Sequence, residues 1–281
     1  MSHAAELKIT YAVQQFRTPA LDTFFEWLNY FDRPEFFFVL VPTIWVAKGW
    51  KTGIKLFYIL VLSSFVNYGL KHLFEFPRPF DLDPSVAIIH VGGYGLPSGA
   101  AQTVALLGPL LLMYWKSAWK WPVAISYMAL ISFSRIYLGV HFFTDILGGW
   151  AAGLALFGFF VYAAPRVEKL LANLKPASLF ALSQCVPLSW LIIYPKAPIF
   201  RMSACAMGLG LGLWINYCKS AALLSEPLKG KFLYRAAVGV LGATACYYLA
   251  ALLSTGPFLQ SLFVGLWVAS ISFFVCRSLF K

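Results

Sequence analysis

Charged side chains are scarce in this sequence. Asp, Glu, Lys and Arg make up 12% of its 281 residues, whereas 60% of the residues are hydrophobic. A soluble domain carries about twice that charged fraction. Several apolar runs also reach the ~20 residues that a helix needs to cross a bilayer. The composition excludes an ordinary soluble domain and predicts an all-α protein, a polytopic integral membrane bundle of helices.

Patterns typical of metal sites and disulfide frameworks are also missing. The five cysteines lie in or beside apolar segments of the C-terminal part, and none has the paired spacing of a zinc site. We interpret them as small core residues. No cluster of acidic residues suggests a metal ion, so we expect neither a metal site nor a cofactor.

The apolar runs predict nine membrane crossings after an N-terminal segment, residues 1–34, that mixes apolar and acidic residues. We expect this segment to form an amphipathic helix on the membrane surface. It lacks a basic region followed by an apolar core and a cleavage site, so no cleaved signal peptide is expected. The predicted crossings are about 35–50, 54–73, 98–115, 121–138, 141–163, 178–194, 202–218, 233–253 and 258–277.

The net charge of +11 is divided unequally between the two sides of this topology. One side has fourteen cations and only two acids, Glu168 and Glu226, which gives +12; the other has eight cations and nine acids, which gives −1. Cytoplasmic loops are enriched in Lys and Arg, so the basic side is predicted to be cytoplasmic, and nucleic acid is not an expected partner. The fourteen cations are Lys48, Lys51, Lys55, Lys116, Lys120, Arg166, Lys169, Lys175, Lys219, Lys229, Lys231, Arg235, Arg277 and Lys281.

Three polar clusters interrupt the apolar sequence between residues 71 and 145. They are Lys71 with Arg78-Pro79, then Pro97-Ser98-Gly99-Ala100, then Ser134-Arg135 with His141 and Asp145. Crossings 98–115 and 121–138 form a hairpin, which returns the chain to the face that it left, so all three clusters are predicted to meet outside the cytoplasm. Ionisable groups at membrane depth are functional by default.

Each cluster also has a simple structural interpretation when it is taken alone. Lys71 and Arg78 are two helical turns apart and suit cations at a helix end, and Ser98 suits an N-cap. Together the clusters provide three cations and a helix start that favours an anion. His141 and Asp145 are four residues apart, so the carboxylate can hold the imidazole in one tautomer and leave the other nitrogen to attack.

This combination resembles the type 2 phosphatidic acid phosphatase family, over about residues 50–160. The family pattern is Lys, six residues, Arg-Pro; then Pro-Ser-Gly-His; then Ser-Arg, five residues, His, three residues, Asp. The resemblance implies that His141 is a nucleophile that forms a phosphohistidine and that Asp145 orients it. It also implies a phosphate site without a metal, made by Lys71, Arg78, Ser98, Gly99 and Arg135.

Ala100 departs from the pattern, because the family has a His there that protonates the leaving oxygen. An engineered His→Ala replacement and a natural variant both account for it, and the intact remainder of the motif favours the first. His72 and His90 are the candidates that could replace the missing group.

The resemblance implies a membrane phosphatase that acts on a lipid phosphate or lipid pyrophosphate and is impaired by Ala100. An inactive lipid-binding or lipid-transport protein with the same core is the alternative. We expect an interfacial segment at 1–34, a lipid phosphatase core at 35–165 and a four-helix membrane extension at 176–281. The expected location is a bacterial inner membrane, with the site on the periplasmic side; a lumenal side is the eukaryotic equivalent.

The topology can be tested with single cysteines in a variant whose five native cysteines are replaced by serine. A cysteine near Lys120 should resist an impermeant thiol reagent in intact cells, and one near Asp83 should react, because the basic loops orient the chain. Permeabilised cells should label both. The opposite pattern in intact cells would overturn the predicted orientation.

Overall fold

A computed structural model describes residues 3–193, 197–219 and 231–279. Lys196, Glu226, Lys229 and Lys281, which enter the charge count above, lie outside these ranges. The described residues form helices, turns and loops, without a β-strand. The helices are α1 (His3–Gln14), α2 (Pro19–Leu28), α3 (Pro34–Lys48), α4 (Trp50–Phe74), α5 (Pro79–Leu82), α6 (Gly99–Tyr114), α7 (Lys120–Tyr137), α8 (Phe143–Ala172), α9 (Pro176–Ile193), α10 (Ala197–Lys219), α11 (Phe232–Leu252), α12 (Gly256–Leu266) and α13 (Ser272–Leu279).

The all-helical membrane architecture is confirmed. Six segments of the described chain are long and apolar enough to cross a membrane: 50–82, 143–172, 176–193, 198–219, 232–252 and 256–279. The helix α6 is apolar but shorter, and α3 has 15 residues against the ~20 that a perpendicular crossing requires. The count of nine crossings and the membrane-surface position of residues 1–34 stay predictions.

The chain divides into two compact units, residues 1–36 with 59–165 and residues 37–58 with 166–281. The predicted boundaries at 34/35 and near 165–176 are drawn between functional segments of the sequence, not between compact units. They stay predictions. All three polar clusters belong to the first unit.

Local sequence explains where the helices of the first unit begin and end. The Thr18 side chain accepts a hydrogen bond from the backbone N–H of Leu21 at 3.2 Å, so α2 begins at Pro19. The helix α7 ends at Tyr137, and Gly139 follows with a φ of 70°. A Cβ at Gly139 would lie 2.0 Å from the carbonyl oxygen of Val86, so this turn requires glycine. The turn leads directly to His141, two residues later.

The helices α6 and α8 are in close contact along Gly149 and Gly153, the small-xxx-small pair of the sequence. A Cβ at Gly149 would lie 2.6 Å from the carbonyl oxygen of Ser98, and a Cβ at Gly153 would lie 2.3 Å from that of Gln102. This packing fixes the start of α6 against the start of α8.

The second unit contains α9 to α13 and shows the same mode of packing. A Cβ at Gly208 of α10 would lie 2.1 Å from the carbonyl oxygen of Leu262, so α10 and α12 are in close contact. Between α12 and α13 lies a single π-helical turn, Trp267–Ile271. The Asn216 side chain donates to the carbonyl oxygen of Ala269 at 2.8 Å and satisfies a backbone group of that turn. The five cysteines are free thiols; Cys276 is buried, whereas Cys185 and Cys218 are exposed rather than in a core.

The glycine contact predicts unequal effects of two substitutions on one helix. Gly153→Ala should destabilise the protein by about 1–3 kcal/mol, because the added methyl group has no space against α6. Gly158→Ala on α8 is the matched control, since a Cβ there meets nothing within 4 Å. Thermal unfolding in detergent should separate the two variants, and equal melting temperatures would contradict the packing described here.

Candidate phosphate-binding and nucleophile site

The His141 imidazole is held by Asp145 at the start of α8. Nδ1 of His141 lies 3.2 Å from Oδ2 of Asp145, and the same oxygen accepts a hydrogen bond from the Phe142 N–H at 2.9 Å. Both side chains are buried. With the Nδ1 proton directed at the carboxylate, Nε2 carries the lone pair. The predicted contact between these two residues is therefore present.

Arg78 lies against the other ring nitrogen of His141. Its Nη1 atom is 3.2 Å from Nε2 of His141 and donates to the carbonyl oxygen of Val140 at 2.8 Å. The same guanidinium donates from Nε to Gly93 at 2.7 Å and from Nη2 to Gly92 at 3.0 Å. These backbone acceptors hold a buried cation in a fixed orientation beside the candidate nucleophile.

Lys71 reaches the same loop from the last turn of α4. Its Nζ atom donates to the carbonyl oxygens of Tyr94 and, at 3.1 Å, of Gly95. The helix ends at Phe74 and Glu75 has a φ of 52°, so Lys71 and Arg78 are not two positions on one helix face. The carbonyl groups of residues 92–95 bring the two cations together instead.

Ser98 caps α6, as its simple structural interpretation predicts. Its side-chain oxygen accepts a hydrogen bond from the Ala101 N–H at 3.4 Å, and its own N–H donates to the carbonyl oxygen of Asp145 at 3.0 Å. A Cβ at Gly99 would lie 3.3 Å from the Asn67 side-chain oxygen. The start of α6 thus contacts the start of α8, and phosphate binding by Ser98 and Gly99 stays a prediction.

Arg135 is buried near the end of α7 and is held from the N-terminal segment. Its Nη1 atom donates to Oδ1 of Asn29 at 2.6 Å, and its carbonyl oxygen accepts from the Val140 N–H at 3.1 Å. Nothing in the spacing of the motifs indicates Asn29, which lies 106 residues earlier.

A second unpredicted polar contact joins α4 to α6. Asn67 donates to the side-chain oxygen of Gln102 at 3.0 Å, and Gln102 donates to the hydroxyl of Ser63 at 2.8 Å. Asn67 lies one helical turn before Lys71, and an amide inside an apolar helix is a signal that could have indicated it.

Ala100 lies in an apolar environment. It is 1% exposed and belongs to a buried cluster with Phe25, Leu28, Val104, Ile131, Tyr137, Leu138 and Val140. The two histidines proposed as replacements lie elsewhere and are exposed. The His72 ring packs on Tyr68 and Tyr94, with centroids 4.1 Å and 5.5 Å away, and the His90 ring lies 5.3 Å from Phe80.

The surroundings of His141 favour its neutral form. It lies in the short connection between α7 and the spanning helix α8. Burial, and then the positive charges of Arg78, Lys71 and Arg135, hold the pKa of His141 well below its ordinary value. A neutral imidazole can act as a nucleophile, whereas a protonated one cannot.

This environment predicts where His141 titrates. Because its folded pKa is lowered, His141 should remain neutral as the pH falls to 6.5 and should protonate only below that value. Nitrogen-15 NMR of histidine-labelled protein in micelles, with His141→Gln to assign the signal, measures the midpoint. N-acetylhistidine in the same buffer is the reference, and a midpoint at or above the reference would contradict the described environment.

Residues 52–169, which include all three polar clusters, match the model of the PAP2 superfamily. Phosphatidylglycerophosphatase B of Bacillus subtilis is 28% identical over 168 residues, 55% of this chain and 80% of that protein. Undecaprenyl-diphosphatase of Sulfolobus acidocaldarius is 30% identical over 105 residues, 37% of this chain and 50% of that protein. The chain therefore spans only about half of the length of some of the curated relatives that it matches.

A solved structure supports the fold. The crystal structure of Aquifex aeolicus LpxE superposes with a TM-score of 0.50 at 24% identity, over 56% of this chain and 94% of that chain. The family match and the two relatives agree with the three motifs that the first unit brings together. The three motifs thus lie in the segment, residues 52–169, that matches the PAP2 superfamily.

Proposed function

We propose that this protein is a membrane hydrolase that removes phosphate from a lipid phosphate or lipid pyrophosphate. The observation that carries the proposal is the position of His141 between two partners: Nδ1 lies 3.2 Å from Asp145 and Nε2 lies 3.2 Å from Arg78. A phosphoryl group that binds Arg78 would lie beside the nitrogen that carries the lone pair.

The proposed reaction has two displacements at phosphorus. Nε2 of His141 forms a bond to phosphorus, and the bond to the leaving oxygen breaks, with that oxygen taking the electron pair. Nδ1 keeps its proton, and Asp145 stabilises the positive charge on the ring. Water then attacks the phosphohistidine, its proton goes to the phosphate product or the solvent, and the electron pair of the N–P bond returns to Nε2.

Three cations would stabilise the charge that develops on the phosphoryl oxygens. Lys71 and Arg78 are fixed by carbonyl groups of the 92–95 loop, and Arg135 is fixed by Asn29. Donors that are fixed before the reaction need no rearrangement in the transition state.

The relatives support a phospholipid-type substrate. Their names specify a phosphatidylglycerophosphatase and an undecaprenyl-diphosphatase, one acting on a monophosphate and one on a diphosphate. A site built on apolar spanning helices suits a head group that enters from the bilayer, and the charge distribution of the loops favours the extracytoplasmic side. For a bacterial chain, that side of the inner membrane is the proposed location.

Ala100 affects the two substrate classes differently. Expulsion of a lipid alkoxide from a monophosphate needs a proton, and a general acid contributes ~10²–10⁴-fold. A diphosphate expels a phosphate monoester, which is already a stable anion. We therefore propose that the Ala100 protein is impaired on monophosphates and retains diphosphate hydrolysis.

The alternative function, a protein that binds lipid head groups without hydrolysis, is favoured by the apolar surroundings of Ala100. A His at position 100 would place a polar ring among buried aliphatic and aromatic side chains. The two functions differ in one measurable property, the release of phosphate.

The test compares a matched lipid monophosphate and diphosphate in detergent. With Ala100, turnover of the diphosphate should exceed that of the monophosphate by at least ~10²-fold, because the general acid is missing. Ala100→His should raise monophosphate turnover more than diphosphate turnover.

Ala100→Asn is the matched control, because it adds a polar group of similar size that cannot donate a proton as a histidine does. Gel filtration and thermal unfolding identify the folded fraction of each variant. No release by the Ala100 protein or by folded Ala100→His would favour the binding protein. Equal gains with His and Asn would show that position 100 does not act through proton transfer.

A further inference from the structure

The helix α1 contains a buried carboxylate that the proposed reaction does not use. Glu6 is 1% exposed, although the sequence pattern of residues 1–34 predicts a helix on the membrane surface. A carboxylate is almost never fully buried unless it has partners. Glu6 therefore requires an explanation in terms of what it contacts.

Both oxygens of Glu6 accept hydrogen bonds from one residue of α8. Oε1 accepts from the Thr144 N–H at 2.8 Å, and Oε2 accepts from the Thr144 hydroxyl at 2.9 Å. The two residues are 138 positions apart in the sequence. Thr144 immediately precedes Asp145, so Glu6 is attached to the turn of helix that orients the nucleophile.

The start of α8 explains why a carboxylate from elsewhere is needed there. The carbonyl oxygen of Phe142 accepts from the Ile146 N–H at 3.4 Å, so Phe142 occupies the N-cap position. A Phe side chain cannot accept a hydrogen bond from the first turn. Asp145 supplies half of a capping box by accepting from the Phe142 N–H. The Thr144 N–H receives its acceptor from Glu6.

Other residues of α1 contact the same region. The His3 ring lies 5.0 Å from the Phe142 ring and 5.3 Å from the Phe76 ring. Gln14 donates to the carbonyl oxygens of Val86 at 2.8 Å and Tyr137 at 2.9 Å. The helix α1 is thus fixed at both ends to segments that surround the site, and Glu6 lies between these contacts.

We propose that Glu6 is a positioning residue: it completes the N-terminal cap of α8 from α1 and so keeps Asp145 aligned with His141. This role rests on the proposed function, because alignment of Asp145 matters only if His141 attacks a substrate. The carboxylate also lies at the positive end of the α8 dipole, which stabilises it there.

Loss of the cap should affect the chemical step rather than substrate binding. Asp145 uses one oxygen for both Phe142 and His141, so movement of the first turn disturbs the imidazole directly. Misplacement by about 1 Å costs about 10²-fold in rate. We expect Glu6→Ala to lower kcat by about 10- to 100-fold with little change in KM.

Glu6→Gln is the rescue variant. Its amide oxygen can accept from the Thr144 N–H, and its amide nitrogen can donate to the Thr144 hydroxyl, so it should retain most of the activity. Thr144→Val removes one of the two hydrogen bonds, and its effect should not add to that of Glu6→Ala, since both act through one contact. Glu26→Ala is the control for an exposed carboxylate on α2.

A second readout does not depend on turnover. Nitrogen-15 NMR of His141 reports the fraction of the Nδ1–H tautomer, which should fall in Glu6→Ala and be retained in Glu6→Gln. An altered tautomer in a protein that hydrolyses neither lipid substrate would support the role of Glu6 and reject the proposed function. A Glu6→Ala protein that melts at a lower temperature, but keeps the kcat and the Nδ1–H tautomer fraction of the unsubstituted Ala100 protein, would overturn the inference.

Discussion

One carboxylate oxygen determines the geometry of the site. Oδ2 of Asp145 accepts from the His141 ring and from the Phe142 N–H, and both contacts lie in the protein interior. A buried carboxylate is stable only when hydrogen bonds and charges replace its hydration. The hydrogen bonds that replace the hydration of Asp145 therefore also fix the imidazole ring. With the ring held in this way, its Nε2 atom is oriented toward Arg78.

Carbonyl oxygens of the backbone and of the Asn29 side chain hold the cations of the site. Carbonyl groups of the 92–95 loop accept from Lys71 and Arg78, and the amide of Asn29 accepts from Arg135. Carbonyl dipoles hold a cation without cancelling its full charge. In an interior of low dielectric constant, such a site attracts an anion more strongly than the same charges would in water. This arrangement is consistent with the proposed binding of phosphate.

Contacts within the motifs and the meeting of Arg78 with His141 could be predicted from the sequence, whereas contacts made by residues outside the motifs could not. The four-residue spacing of His141 and Asp145 predicts their contact, and Ser98 with Gly99 predicts the start of α6 within one residue. The family match confirms the resemblance that the three motifs indicate. Lys71 and Arg78 are two helical turns apart in the sequence, but they do not share a helix face because α4 ends at Phe74. Asn29 and Glu6 act over more than 100 residues, and a single sequence contains no signal for such pairs.

The proposed mechanism requires that Nε2 of His141 becomes covalently bonded to phosphorus. The most direct measurement is rapid acid-free quenching of the protein during turnover of a diphosphate with a radiolabelled terminal phosphate, followed by peptide mapping. The proposed mechanism predicts an alkali-stable, acid-labile phosphate on the peptide that contains His141, and none in His141→Ala. Turnover without such a label, or undiminished labelling in His141→Ala, would contradict it.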